Sequence, residues 1–320
     1  MRYIIPPSSV YRGKYSFLLS HLMARPVDRS GALEFDASLR VLKRVPRLNP
    51  CFSMGFADIC RRVAGDIASA SELPITVLWS GGIDSTCVLC SFLRIGAQVD
   101  VALSDESTRE YPEFYDRVIV GNPLIRKETR FTNIVEYLRR HDDRSTHVSG
   151  EVADQIYFIS YPGYGLGCDE LFDGVGSGIP DAYMELYRPL IEACPVRLNN
   201  NYDFLWWENF ALKYQSVQAR MHLHAGRRLE HLVHFFDHAL FESWAMRNDH
   251  RAKCPGEDFR NHKYPAKEVI HEAFPDPSVF LMWKRKSLIR AIGEPSGADR
   301  GSRAGKANWC IDEHWNVLRQ

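Results

Sequence analysis

Apolar and polar positions in the middle of the chain switch repeatedly between a helical and an extended period. Phe56 to Ser69 reads as a helix, Ile75-Thr76-Val77-Leu78-Trp79 as a strand, 85–95 as a helix and Val99 to Ser104 as a strand. A weaker strand is predicted near Arg117 to Val120, a helix near Asn133 to Arg140, and a last strand at Thr146-His147-Val148. This alternation predicts an α/β fold, a parallel sheet with helices on both faces. From Asp203 to His250 there is no proline and one glycine, which predicts a mostly helical C-terminal region. Before residue 53 the pattern is broken by Pro6-Pro7, Pro26, Pro46 and Pro50, the mark of an irregular arm or small subdomain. The expected organisation is therefore 1–52, 53–160 and 161–320. Neither an internal repeat nor a low-complexity tract is visible.

Composition narrows the class. A chain of 320 residues is long enough to bury a large core in one large domain or two modest ones. Its 40 basic and 40 acidic residues cancel, so no general attraction to nucleic acid or anionic membrane is expected, although local patches leave nucleic acid open. No apolar run approaches a membrane span. Eight scattered cysteines and no signal peptide point to reduced thiols and a cytoplasmic setting. Cys87 and Cys90, the one CxxC, lie among Val88, Leu89, Phe92 and Leu93 and read as buried small side chains rather than a metal pair. Trp206-Trp207 likewise reads as core.

The chemistry starts at Ser80-Gly81-Gly82-Ile83-Asp84-Ser85-Thr86, where the strand ending at Leu78-Trp79 turns into a helix. Two glycines allow close approach of a ligand, the helix start offers positive potential, and Ser80, Ser85 and Thr86 add hydroxyls: a phosphate site. Asp84 adds a hard oxygen suited to Mg2+. The Gly-Lys-Ser/Thr ending of a Walker A loop is missing, which argues against lysine-assisted transfer of a terminal phosphate. The bland alternative is a glycine turn capped by Asp84 and Ser85.

A second segment, Ser149-Gly150-Glu151-Val152-Ala153-Asp154-Gln155, follows the strand ending at Val148, and Asp154 is placed to give the further carboxylate that a magnesium-nucleotide site needs. A third lies at Lys267-Glu268-Val269-Ile270-His271-Glu272-Ala273-Phe274, followed by Lys284-Arg285-Lys286. Two further stretches compete with these. Gly165 to Gly174 contains Asp169-Glu170-Leu171-Phe172 within 162–180, a stretch rich in glycine and aspartate that reads as a loop over the site, and Arg303-Ala304-Gly305-Lys306 offers another lysine. His231, His234 and His238 would share one face if helical, a geometry able to hold zinc.

The first loop resembles the SGGxDS pyrophosphate loop of the N-type ATP pyrophosphatases. Residues 149–155 resemble the SGEGADE segment of asparagine and beta-lactam synthetases, with Val152 in place of a glycine and Gln155 in place of a glutamate. Residues 267–274 resemble a helix beginning KxxLREAF, with His271 in place of arginine. Phe235-Phe236-Asp237 resembles part of RxPFLD, which gives Asp237 a role in shaping the helical region.

The resemblance, over about 53–290, implies an adenine-nucleotide alpha hydrolase-like fold and cleavage of ATP to AMP and pyrophosphate. It implies that Leu78, Ser80, Gly81, Gly82, Asp84, Ser85, Thr86, Ser149 and Gly150 bind ATP and that Asp84 and Asp154 bind Mg2+. Glu151 would sit beside the substrate, and Lys286, with Lys306 as fallback, would offset charge on the phosphorus. The glutaminase domain of the synthetases has no room in the first fifty residues. Nitrogen would then come from ammonia, an amine substrate or a separate ammonia-supplying partner. The acceptor is a small molecule or, in the nucleobase-modifying relatives, a base in a nucleotide, tRNA or DNA. A nucleotide-binding protein without catalysis is a third option, a purely structural protein the last.

Overall fold

The computed structural model describes residues 2–11, 13–22, 24–35, 37–157, 181–199, 201–247, 263–282 and 309–319. Its centre is the predicted α/β sheet: β2 (Ile75–Leu78), β3 (Val99–Leu103), β4 (Ile125–Arg130), β5 (Thr146–Ser149) and β6 (Leu232–His234), all parallel, in the order β4-β3-β2-β5-β6. β1 (Tyr3–Ile5) instead joins β7 (Trp309–Asp312) and β8 (Val317–Arg319) in a separate antiparallel sheet of order β1-β7-β8.

Alternation along the central strands assigns the two faces. Val77, Val101, Leu103 and Val148 join the core beneath the helices Phe56–Ala70 and Ile83–Arg94, with Tyr264–Ala273 packed against both. Leu78 and Ala102 point the other way, onto Ile134, Tyr137 and Leu138 of the helix Ile134–His141 and Met221 and Ala225 of the helix Tyr214–Ala225. Strands covered on both faces read as continuous apolar runs, which made β2 and β3 visible in the sequence. Cys87 and Cys90 are buried within Ile83–Arg94, and Trp206 and Trp207 are also core.

Two expectations need correction. Residues 117–120 are not a strand: Tyr115–Ile119 is a π-helical turn that buries Ile119, closed by Gly121 at φ 72°. The strand is β4, with the sequence Ile-Arg-Lys-Glu-Thr-Arg, and it escapes notice because an edge strand loaded with charge resists edge-to-edge pairing and shows little apolar pattern. His231, His234 and His238 share no helical face, since His234 lies in β6 and His238 caps the helix Ala239–Ala245 through its Nδ1, 3.2 Å from the Leu240 N–H. The C-terminal region, largely helical, also supplies β6, β7 and β8.

The first fifty residues are tied to the helical region by a defect in it. The π-helical turn Asn209–Lys213 leaves carbonyls outside the ordinary helical ladder. The Val27 N–H donates to Leu212 O at 2.9 Å, the Arg29 N–H to Ala211 O at 3.0 Å, and the Arg29 guanidinium to Phe210 O at 3.1 Å. Arg29 is buried, pairs with Glu242 and lies 3.8 Å from the Tyr214 ring centroid. Asp237 accepts from the Tyr214 hydroxyl at 2.8 Å, the Gln218 amide at 2.6 Å and the Lys43 ammonium at 3.0 Å, which knots the same region. No helix among the described residues is long and apolar enough to cross a membrane.

Candidate functional site

Crossover connections reverse direction between β2 and β5, which are hydrogen-bonded neighbours in the register Val77 to Val148. The crevice outside the carboxyl ends of two such strands is where open α/β sheets bind ligands. Both sequence segments, 80–86 and 149–155, leave their strands there.

Gly81 adopts φ 78°, and a Cβ on it would stand 2.3 Å from the Ser107 carbonyl oxygen, so only glycine fits between β2 and the helix Asp105–Glu110. The loop closes on itself: Ser85 Oγ accepts from the Ser80 N–H at 3.0 Å, lies 2.9 Å from Ser80 Oγ and donates to Gly82 O at 3.1 Å. Gly82 then starts the helix Ile83–Arg94. Thr86 and Leu78 serve packing. The Trp79 indole N–H donates to Thr86 Oγ1 at 3.0 Å, and Leu78 sits in the core of the opposite face.

Gly150 joins the two segments. A Cβ there would come within 2.9 Å of the Ser85 backbone nitrogen and 3.0 Å of the Asp84 carbonyl carbon, so the β5 loop abuts the start of the β2 helix directly. Val152 follows at φ 71°, a left-handed value at the position where the resembled pattern has glycine. The short helix Ala153–Tyr157 then carries Asp154, while Gln155 is buried and donates to Asn209 Oδ1 at 2.9 Å.

Asp84 and Asp154 meet around one cation. It is Lys263 Nζ, 2.5 Å from Asp84 Oδ2 and 2.8 Å from Asp154 Oδ1. Tyr157 donates its hydroxyl to the other Asp84 oxygen at 2.5 Å. Burial works to push the Lys263 ammonium down, but Asp154 and Asp84 outweigh it and hold it above the ordinary lysine value. The lysine therefore stays charged.

Beside this trio, Glu151 is ion-paired with Arg220. Ser149 Oγ bonds His234 Nδ1 at 2.7 Å, and His234 Nε2 lies 2.8 Å from Gln218 O. A carbonyl can only accept, so the imidazole carries its proton on Nε2 and takes the serine proton on Nδ1. Burial lowers the pKa of His234, in keeping with this neutral form.

Two aspartates suit Mg2+, which binds through one or two carboxylates and completes its shell with phosphate oxygens and water. That both already hold a single ammonium shows that the donor pair fits a cation. No larger group of His, Cys, Asp and Glu able to hold a metal occurs among the described residues. Lys286, Lys306 and the segment 165–174 lie outside the described residues. Lys267 is buried and donates to Phe280 O at 3.1 Å, so the third segment packs its helix start against 277–281.

Lys263, Tyr157 and Arg220 belong to none of the sequence motifs, and His234 stands out there only as a member of a zinc face that the fold does not form. For Lys263 a signal exists: it immediately precedes Tyr264-Pro265 at a helix start, where an ammonium opposes the helix dipole. Compared with models of known protein families and with curated proteins, the chain matches none.

Proposed function

We propose that the chain is an ATP-dependent, Mg2+-dependent adenylating ligase of the pyrophosphate-loop type. The observation that carries this reading is the meeting of the two strand-end segments at the β2/β5 reversal, with Gly150 against the Asp84-Ser85 peptide and Asp84 and Asp154 on one cation.

In this reading the backbone of 80–86 and the Ser80 and Ser85 hydroxyls hold the β and γ phosphates of ATP. A carboxylate or amide oxygen of the acceptor attacks the α phosphorus, the bond to the bridging oxygen breaks, and pyrophosphate leaves with that electron pair. Mg2+ held by Asp84 and Asp154 would screen the polyphosphate charge. Lys286 is the proposed partner for charge growing on the α phosphate. An amine or ammonia then attacks the activated carbon, loses a proton and expels AMP. Glu151, kept in place by Arg220, orients the amine.

The test is incubation of the full chain with Mg-ATP and pools of carboxylates, amines and nucleic acids, with the nucleotide products separated. AMP and pyrophosphate in equal amounts, dependent on one acceptor pool, are expected. ADP and phosphate would contradict the reading. Dependence on a nucleic-acid pool alone would move the acceptor to a nucleobase.

A further inference from the structure

Resting on the nucleotide and cation site proposed above, we infer that Lys263 is a built-in stand-in for the divalent cation. It keeps the Asp84 and Asp154 carboxylates together in the ligand-free protein, and it must leave before a metal can enter.

The geometry requires competition. Lys263 Nζ takes Asp84 Oδ2 and Asp154 Oδ1, the two oxygens that point toward a shared ion. Tyr157 fixes the remaining Asp84 oxygen. The lysine side chain is only 4% exposed, whereas the two aspartates are 24% and 27% exposed. The ammonium thus reaches the pair from the protein interior, and the carboxylates keep an open side for a ligand.

Local preference speaks against a lysine here, so the carboxylates must be what holds it. Lys263 is the N-cap of Tyr264–Ala273 with a left-handed φ of 59° and no side-chain cap hydrogen bond. Among the described residues three non-glycine positions have positive φ, and two of them, Val152 and Lys263, adjoin this aspartate pair. Such backbone conformations persist where the surroundings over-determine them. Without a cation the two carboxylates that now share Lys263 would face each other unscreened and repel.

The consequence is ordered loading. Free metal meets an ammonium already in its place, whereas a metal-polyphosphate complex brings negative charge that can take over the released lysine. Metal entry is thereby coupled to nucleotide entry.

Wild type and Lys263→Met are compared as full chains, without nucleotide, by Mn2+ binding in electron paramagnetic resonance and by thermal unfolding. Wild type should ignore free Mn2+. The variant should unfold at lower temperature, bind Mn2+ at least roughly tenfold more tightly than wild type, and regain its unfolding temperature when Mn2+ is added. Adding Asp154→Asn to Lys263→Met should restore stability without metal and abolish the Mn2+ response. Equal Mn2+ affinity in wild type and variant, or a variant that Mn2+ does not stabilise, would overturn the inference. If Lys263→Met does not fold alone, the double variant, which removes the repulsion, must fold, and its failure would overturn the inference too. These readouts contain no nucleotide, so they can fail while AMP formation stands, or hold while it fails.

Discussion

Val152 shows how one residue bears the strain of the site. It is buried, β-branched and held at φ 71° between Gly150 and Asp154. At a relaxed buried position a glycine variant is weaker than an alanine variant by about 0.5–1 kcal/mol. Here glycine also releases a left-handed penalty of roughly 1–2 kcal/mol that alanine keeps. Val152→Gly should therefore be at least as stable as Val152→Ala in denaturant unfolding. An alanine variant more stable by about 1 kcal/mol would show the backbone to be unstrained. The position was legible in part, because a valine in place of the resembled glycine marked the departure, but its conformational meaning required the backbone. Lys263 was hidden for another reason. Its role depends on an ammonium crossing from residue 263 to carboxylates at 84 and 154, and no local pattern encodes a contact of that reach.

At the scale of elements, the sheet and its neighbours set a pH limit. His222 accepts the Leu229 N–H on Nδ1 at 2.9 Å, a bond only an unprotonated nitrogen can accept. Burial, then His234 and Arg228, lower its pKa from 6.5 to about 4. Burial also lowers His147 in the core and His234 in β6. The fold thus prefers neutral imidazoles. Their contribution is complete above about pH 6.5 and is lost as pH falls toward 4, where the unfolded chain binds more protons. For His222 alone the loss approaches roughly 3 kcal/mol. His222→Gln should flatten the fall of unfolding free energy between about pH 7 and 4, and an unchanged slope would contradict the assignment.

The same elements show what periodicity can reveal. β2, β3, β5 and the helices Phe56–Ala70, Ile83–Arg94 and Ile134–His141 are readable because central strands and amphipathic helices follow strict periods. β4 is charged and lies at an edge. β6 is three residues long and is recruited to the edge beside β5 from beyond residue 230. Neither feature leaves a strong pattern.

Over the whole molecule, the first fifty residues are part of the structure that carries the site rather than an appendage. Arg29 is the test. Its side chain is fully buried against Glu242, itself 2% exposed, and it donates to Lys43 O at 2.7 Å. Without Arg29, buried Glu242 keeps only the Lys43 ammonium, 3.0 Å away and about a third exposed, and losing one member of a buried ion pair costs about 3–5 kcal/mol. Arg29→Met should lower the unfolding free energy by that amount in one cooperative denaturant transition that includes the β2 to β6 sheet. A variant whose sheet unfolds unchanged, with only the N-terminal segment released, would contradict this. Composition forecast none of it, since the arm reads as irregular by its prolines and its anchorage depends on carbonyls freed by a π-helical turn far along the chain.

Residues 80–86 and 149–154 are proposed to form one site that splits ATP at the α phosphorus. The most direct measurement follows ATP labelled at the α phosphate, with a responsive acceptor, in wild type and in Asp84→Asn, with circular dichroism showing that both are folded. Wild type should convert the label to AMP with matching pyrophosphate, and Asp84→Asn should lose this by roughly a hundredfold or more. Label recovered in ADP, or undiminished AMP formation by the variant, would contradict it.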